Sequence, residues 1–213
     1  MIKAIIFDFD GVILESATIK TEAFAEVVQD YPKEQADAFV QYHMSHMGIS
    51  RHVKFRYFIE EILHESYSDE KEQILADKFS NIVFDKVMCC NYVPGAREFL
   101  EQYYRKYDFY IATGTPEEEI LQILDGRDLK IFFKGVYGTP SRKEDIAANI
   151  LEVNHYSPQE VIFVGDAETD LKAANQNDIH FIGRNTLENR QAFRKVANKV
   201  DDLRQIEAII QEL

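Results

Sequence analysis

Three short apolar runs in this 213-residue chain are each followed by a polar side chain, and this repeated arrangement restricts the fold. In an open parallel sheet the strands are buried on both faces, so they read as continuous apolar runs, and their carboxyl ends line the ligand crevice. We therefore expect the three polar side chains to meet at one edge of such a sheet. The runs and the residues that follow them are 5–7 with Asp8, 110–112 with Thr113, and 161–164 with Asp166 after one glycine.

The order of predicted strands and helices indicates an α/β fold. Beyond residue 93, predicted helices alternate with four predicted strands, at 109–113, 134–137, 161–164 and 179–182. Strands that alternate with helices are typical of a doubly wound parallel sheet. Before residue 93 the apolar positions recur at helical spacing, with candidate helices at 17–30, 33–46, 51–65 and 69–88. We therefore predict a Rossmann-like core of residues 1–15 and 93–213, with an all-helical segment, 16–92, inserted into it.

The charge and the cysteine content exclude some functions. The net charge is −13 at pH 7, which argues against nucleic-acid binding, because phosphate backbones demand clustered Lys and Arg. Asp8 and Asp10 interrupt the first apolar run too early for a signal peptide, and no segment is long enough to span a bilayer. The two cysteines, Cys89 and Cys90, are adjacent, so an ordinary disulfide framework is absent and a cytoplasmic location is expected.

Two pairs of carboxylates predict a site for a hard divalent cation. Asp8 and Asp10 face the same side of a strand end, so they repel each other unless a cation or a proton lies between them. Asp166 follows another apolar run, and Asp170 lies one helical turn further on. Mg²⁺ prefers oxygen ligands in octahedral geometry, and Asp166 is placed as such a ligand. The alternative interpretation is a polar strand end for the first pair and helix capping for the second.

The segment after the second apolar run has groups that suit a phosphate. The Thr113 hydroxyl and the backbone N–H groups of Gly114 and Thr115 can donate hydrogen bonds to a phosphate oxygen. Helix N-termini attract anions, and helices are predicted to begin at two capping boxes, 115–118 and 141–144. Lys143 would neutralise charge on a nucleophile and on a phosphate. A threonine at a strand end and a lysine in a first helical turn are also common without such a function.

In this order, the four elements resemble the haloacid dehalogenase-like hydrolase superfamily. Its pattern is an Asp-x-Asp-Gly strand end, a Thr or Ser strand end, a Lys, and a Gly-Asp-x-x-x-Asp strand end. The matching residues are Asp8-Phe9-Asp10-Gly11, Thr113, Lys143 and 165–170. Segments 8–16 and 165–174 resemble the subgroup that contains phosphoglycolate phosphatase and β-phosphoglucomutase. That subgroup carries a helical cap in the place of residues 16–92, so the resemblance covers the whole chain.

The resemblance implies a phosphatase that works through an aspartyl-phosphate. Asp8 would be the nucleophile, and Asp10 would protonate the leaving alcohol and then activate water. Thr113 and Lys143 would hold the phosphoryl group of a small phosphorylated metabolite. Phosphoryl transfer depends mainly on positioning and on charge neutralisation, and this set supplies both. The residues implied as holders of Mg²⁺ are Asp8, the backbone carbonyl of Asp10, Asp166 and, in support, Asp170.

Two departures from the family pattern leave an alternative open. Many relatives have Lys-Pro where this chain has Lys143-Glu144, and Asp where it has Glu15. The phosphate-binding cation is therefore assigned to Lys143, with Arg142 and Lys134 as competitors.

The predicted cap contains a stretch without acidic residues that suits an anionic substrate. No Asp or Glu occurs from Ala38 to Ile59, and Ser50 is predicted as a helix N-cap there. In the capped relatives, the loop that resembles residues 48–51 contacts the substrate, so Ser50 and Arg51 are candidate substrate-binding residues. The alternative is a chance gap on a solvated helix face, and the histidines fit no zinc pattern. The basic side chains of the stretch are Arg51, Lys54, Arg56, His43, His46 and His52.

Other functions are compatible with parts of this pattern. A sugar phosphomutase shares all the core residues, but mutase-like relatives carry a histidine where this chain has Lys20, a further candidate substrate-binding residue. A dehalogenase or a phosphonate-cleaving enzyme is disfavoured, because such relatives lack the second Asp and Asp10 is present. A phosphoacceptor receiver domain would lack residues 16–92. A non-catalytic phospho-ligand binding protein would not need the complete residue set.

Overall fold

The fold is built on one parallel sheet, and the computed structural model describes residues 1–186 and 189–213. The strands are β1 Ala4–Phe7, β2 Asp108–Pro116, β3 Gly135–Thr139, β4 Val161–Gly165, β5 His180–Arg184 and β6 Lys199–Val200. They lie in the order β3-β2-β1-β4-β5-β6, and all pairs are parallel. The chain therefore winds outward from β1 in both directions, and the topological switch point lies between β1 and β4. Ligands bind at such switch points, outside the carboxyl ends of the strands.

Helices cover both faces of the sheet and also form a separate layer above it. The α-helices of the described residues are α1 Ala17–Val27, α2 Lys33–Ser45, α3 Arg51–Tyr57, α4 Asp69–Cys89, α5 Ala96–Tyr103, α6 Glu117–Gly126, α7 Lys143–Asn154, α8 Glu168–Gln176 and α9 Ile206–Glu212. Helices α1 to α4 lie between β1 and β2 in the chain, and we call them the cap. No helix among the described residues is long and apolar enough to cross a membrane.

The predicted fold class, a doubly wound parallel sheet with an inserted helical cap, is confirmed. The boundaries at residues 15/16 and 92/93 stay a prediction.

Two hydrophobic layers follow from the alternation of side chains along the strands. Ile5 and Phe7 belong to the layer on one face of β1, and Ala4 and Ile6 to the layer on the other. The cap has its own buried aromatic centre, formed by Phe24, Phe39, Phe55, Phe58 and Phe79.

Three local predictions were wrong. The capping boxes do not form, because α6 and α7 begin after Pro116 and Arg142, neither of which makes a side-chain cap hydrogen bond. The Thr115 hydroxyl bonds across the sheet edge instead, as described below. The helix predicted at 51–65 ends as α3 at Tyr57 and continues as one π-helical turn, Phe58–Ile62. The Ser50 N-cap is confirmed, because its Oγ accepts from the His52 N–H at 3.3 Å.

Candidate active site

The carboxyl ends of β1, β2 and β4 bring the predicted site residues together. Residues Phe7, Ile111 and Val164 are paired in register, so the polar residues that follow them reach the same edge of the sheet. The Asp8 N–H still donates to the Val164 carbonyl at 2.9 Å, which fixes the backbone of Asp8 at the end of the ladder. Asp8, Thr113 and Asp166 are all buried there. This is the convergence that the apolar runs predict.

Lys143 lies in the middle of the acidic cluster. Its Nζ is 2.8 Å from Asp8 Oδ2 and 2.6 Å from Asp170 Oδ1, and all three side chains are nearly inaccessible. Burial alone would lower the pKa of Lys143, but the charges of Asp170 and Asp8 outweigh it and raise the pKa above its ordinary value. Asp170 is held in turn by the Ala167 N–H, which donates to Oδ2 at 3.0 Å.

The two competing cations lie elsewhere. The Arg142 side chain is 67% exposed and pairs with Asp145, and the Lys134 side chain is 51% exposed and pairs with Asp108. Of the three candidates, the geometry therefore brings only Lys143 against Asp8.

Asp8, Asp166 and Asp170 form a group that fits a hard cation. One carboxylate oxygen from each lies within 4.8 Å of the others, and all three residues are buried. Burial raises the pKa of Asp8 to about 7 against the opposing charge of Lys143. Burial also raises the pKa of Asp166 well above its ordinary value, and Asp8 and Asp170 add to the rise. The cluster thus holds more negative charge than Lys143 offsets, and buried carboxylate oxygens are the donors that Mg²⁺ prefers.

The turn after β1 leaves no room for a side chain at Gly11. Gly11 has a φ of +74°, and a Cβ there would lie 2.1 Å from Asp166 Oδ2. Arg184 holds this turn, because its Nη1 donates to the Gly11 carbonyl at 2.8 Å and its guanidinium pairs with Glu15 at 2.6 Å. Glu15, where many relatives have Asp, therefore forms an ion pair with a residue of β5.

Asp10 lies in a different environment from Asp8. Its carboxylate accepts hydrogen bonds from Ser16 Oγ at 2.6 Å and Thr115 Oγ1 at 3.1 Å, and it pairs with Lys20. Burial would raise the pKa of Asp10, but Lys20 and the hydroxyl donors lower it below its ordinary value. Lys20 Nζ also donates to Thr115 Oγ1 at 2.6 Å. The Thr115 N–H donates to Thr113 Oγ1 at 3.2 Å, so both polar groups of Thr115 are engaged within the site.

The cap closes over these residues and leaves a small cavity. Its volume is about 70 Å³. The cap loop contacts the core directly, because a Cβ on Gly114 would lie 2.9 Å from the Gly48 carbonyl oxygen. Core residues that line the cavity are Asp8, Asp10, Thr113, Gly114 and Asp166. Cap residues with polar side chains that line it are Lys20, His43, Arg51 and Lys54.

Besides Lys20, the two other cap residues predicted to bind substrate, Arg51 and Ser50, differ in their surroundings. Arg51 lines the cavity and is buried, but its guanidinium forms two hydrogen bonds with Glu119 of α6, at 2.6 and 2.7 Å. It also donates to Ser80 and lies over the ring of Phe79. Ser50 lines a neighbouring cavity with Thr139 and Lys143 among others, and its hydroxyl caps α3.

Sequence reasoning missed two residues that shape the site and named a third, Lys54, only as one basic side chain of the acid-free stretch. Glu119 holds Arg51, although nothing local in α6 marks it. Asn189 donates from Nδ2 to the Asp166 carbonyl at 2.7 Å and to the Arg184 carbonyl at 2.7 Å, which fixes the loop that carries Asp166. Lys54 lies in the acid-free stretch, and that stretch was the available signal for it.

Together, the strand order and the acidic cluster at the switch point define a doubly wound α/β protein with a helical cap and a candidate cation site. A sequence model of the haloacid dehalogenase-like hydrolase family matches residues 5–184. The chain therefore belongs to the haloacid dehalogenase-like hydrolase family, and the predicted family is confirmed. The predicted enzyme class, a phosphoric monoester hydrolase, is confirmed as well.

Curated relatives and solved structures agree with this placement. The chain is 27% identical over 187 residues to a phosphorylated carbohydrates phosphatase of Thermotoga maritima, covering 84% of this chain and 83% of the relative. It is 26% identical over 189 residues to a phosphoglycolate phosphatase of Pseudomonas putida, covering 85% and 68%. A β-phosphoglucomutase structure from Clostridium difficile superposes with a TM-score of 0.78 at 21% identity, covering 100% of this chain and 96% of that one. At that identity the structural likeness establishes the fold alone.

Proposed function

We propose that the protein is a Mg²⁺-dependent phosphatase that hydrolyses a small phosphorylated metabolite through a phosphorylated Asp8. The observation that carries the proposal is the buried contact of Asp8 with Lys143 at the switch point of the sheet. A lysine there neutralises the charge of both the attacking carboxylate and the phosphoryl group. The names of the curated relatives support the same substrate class, phosphorylated carbohydrates or phosphoglycolate.

The residues support a two-step reaction. In the first step, a carboxylate oxygen of Asp8 bonds to phosphorus and the bond from phosphorus to the alcohol oxygen breaks. Asp10, which must take up a proton when substrate binds because its pKa is lowered in the free enzyme, gives that proton to the alcohol oxygen. In the second step, Asp10 takes a proton from water, the water oxygen bonds to phosphorus, and the bond from phosphorus to Asp8 breaks. Thr113 and the Gly114 N–H would orient the phosphoryl oxygens. Lys20 and Thr115 would orient the Asp10 carboxylate between the two steps.

The acidic cluster supports the metal dependence. Asp8, Asp166, Asp170 and the backbone carbonyl of Asp10 would hold Mg²⁺. When bound, the ion would supply the positive charge that the cluster lacks and would reduce repulsion between Asp8 and the phosphoryl group.

The small cavity supports a small-molecule partner rather than a macromolecule, and the acidic net charge gives no support for nucleic acid. The two cysteines, Cys89 and Cys90, are adjacent and supply no ordinary disulfide framework, which supports a cytoplasmic location.

A screen of phosphorylated metabolites with Mg²⁺ or with excess chelator tests the proposal. We expect release of inorganic phosphate only with Mg²⁺. The Asp10→Asn variant should turn over about 10²–10⁴-fold more slowly, because both steps lose their acid or base. Conversion of one sugar phosphate into its isomer without phosphate release would favour the phosphomutase alternative. Tight binding without any turnover would favour a non-catalytic phospho-ligand binding protein.

A further inference from the structure

Among the described residues, one lysine on the cap side of the active-site cavity forms no ion pair with a carboxylate. Lys54 on α3 is 2% exposed and lines the same cavity as Asp8. The other two strongly basic side chains of that wall are paired, Lys20 with Asp10 and Arg51 with Glu119. Within residues 1–186 and 189–213, no carboxylate lies within ion-pairing distance of Lys54. A buried ammonium group without a counter-ion is unfavourable, so this position suits an anion that enters the cavity.

His43 fixes the direction of the Lys54 side chain. Lys54 Nζ donates to His43 Nδ1 at 2.8 Å, and His43 Nε2 lies 3.0 Å from Thr21 Oγ1. The Thr21 hydroxyl donates to the Ala17 carbonyl at 3.1 Å, so it accepts from His43, and the network assigns the proton of the neutral ring to Nε2. Lys54 thus uses one of its three N–H donors on His43, its ammonium lies 4.8 Å from the centre of the Phe24 ring, and it has donors left for another acceptor.

The charges around Lys54 are consistent with its lack of a counter-ion. Burial lowers the pKa of Lys54 to about 7 together with the positive charges of Lys20 and Lys143, while Asp10 opposes the fall. Burial, together with the charge of Lys54, also lowers the pKa of His43 to about 3, so His43 is neutral and accepts from Lys54. The titratable groups that face Lys54 are therefore His43, Lys20, Asp10 and Lys143.

We propose that Lys54, positioned by His43, binds a carboxylate of the substrate while the phosphoryl group lies at Asp8 and Thr113. This inference rests on the proposed phosphatase function and narrows its substrates to small phosphorylated carboxylic acids. A carboxylate fits better than a second phosphate, because Lys54 offers one positive charge, which matches a singly charged group rather than a phosphate dianion. Arg51, the predicted contact for such a group, already has its charge met by Glu119.

Two substrates of equal length test the proposal with Mg²⁺ present. Phosphoglycolate carries a carboxylate where 2-hydroxyethyl phosphate carries an alcohol, so the ratio of their kcat/KM values measures recognition of the carboxylate. Lys54→Met removes the ammonium and keeps an unbranched side chain that replaces the rest of the lysine. We expect it to lower this ratio roughly ten- to a hundredfold, the effect of one lost charge-assisted hydrogen bond. The matched control is Lys86→Met on α4, an exposed cap lysine that should leave the ratio unchanged.

Each outcome separates the inference from the function on which it rests. If the wild type releases phosphate from neither compound nor from any metabolite screened, the phosphatase proposal fails. If it hydrolyses both and Lys54→Met lowers both values equally or neither, the carboxylate site is refuted while the phosphatase stands. If the wild type prefers ethylene glycol bisphosphate and Lys54→Met loses that preference, the assignment to a carboxylate is wrong.

The stability of Lys54→Met is measured separately, so that a loss of selectivity is not confused with unfolding. Removing an unpaired buried charge should not lower Tm, and circular dichroism checks this directly. Lys54→Gln, which keeps a donor for His43, should give the same loss of selectivity. Retention of the full wild-type ratio in Lys54→Gln would overturn the role of the charge.

Discussion

Removing the charge of Glu119 should destabilise the closed contact between the cap and the core. The side chains of Arg51 and Glu119 are 3% and 11% exposed and are joined by two short hydrogen bonds. Glu119→Gln would leave the Arg51 guanidinium buried beside a neutral amide. Breaking a buried ion pair on one side costs about 3–5 kcal/mol, because the remaining charge is uncompensated.

The expected change can be measured as a shift in Tm. In a domain of this size 1 kcal/mol corresponds to about 2–4 °C, so the predicted fall is roughly 6–20 °C. The matched control is Glu101→Gln, which breaks the exposed pair with Arg97 and should lower Tm by about 2 °C or less. Thermal unfolding followed by circular dichroism, without substrate, gives both values.

Equal shifts for the two variants would refute the reasoning. Arg51 would then be unpaired in the free enzyme and available to substrate, as the sequence predicts. A double variant adds a second check: Arg51→Met with Glu119→Leu should recover most of the lost stability, because apolar side chains of similar volume often replace a buried ion pair without a loss. If the double variant is less stable than Glu119→Gln alone, the cost does not come from the uncompensated charge.

Further variants test the catalytic groups. Asp8→Asn should abolish phosphate release and leave the fold intact, as measured by phosphate assay and circular dichroism; near wild-type turnover would exclude Asp8 as nucleophile. Asp166→Ala should raise the Mg²⁺ concentration for half-maximal activity more than Asp170→Ala does, and the reverse order would contradict the assigned ligands. Ca²⁺ should inhibit in competition with Mg²⁺, because it prefers more ligands at longer distances; full activity with Ca²⁺ would count against that. The kcat/KM preference for phosphoglycolate over 2-hydroxyethyl phosphate should fall as pH rises through about 7, since Lys54 has its pKa there and loses its charge above it. A pH profile that keeps this step in Lys54→Met would contradict the assignment.

Most of the fold follows from signals that are local in the sequence. Helical spacing of apolar residues identifies the cap helices, and continuous apolar runs identify the central strands. The three polar residues after those runs meet because parallel strands end at the same edge of a sheet, which requires no knowledge of side-chain contacts. The strand β6 has only two residues, Lys199 and Val200, and no periodic pattern can mark so short an element.

The details of the site depend on partners that are distant in the chain. Thr115 fits a capping box locally, but its hydroxyl bonds to Asp10, which lies 105 residues earlier. Arg51 finds its counter-ion 68 residues away. Lys143 is in the first turn of a helix, where a lysine is usually solvated, yet two buried carboxylates from other elements hold it. Tertiary contacts of this kind override local preferences, and composition alone does not reveal them.

The acid-free stretch of the cap illustrates the same point for function. Its composition predicts a positive surface, but pairing decides which charges are available to a ligand. Arg51 is neutralised by a core residue and joins the cap to the core. Lys54, one turn later on the same helix, has no carboxylate partner among the described residues; its ammonium contacts the neutral His43 and lies 4.8 Å from the centre of the Phe24 ring. A substrate that supplies a carboxylate to Lys54 would add a contact between the cap and the bound ligand. The same contact would then favour both recognition of the carboxylate and closure of the cap over Asp8. Binding energy from the non-reacting end of the substrate would thereby help to position the phosphoryl group.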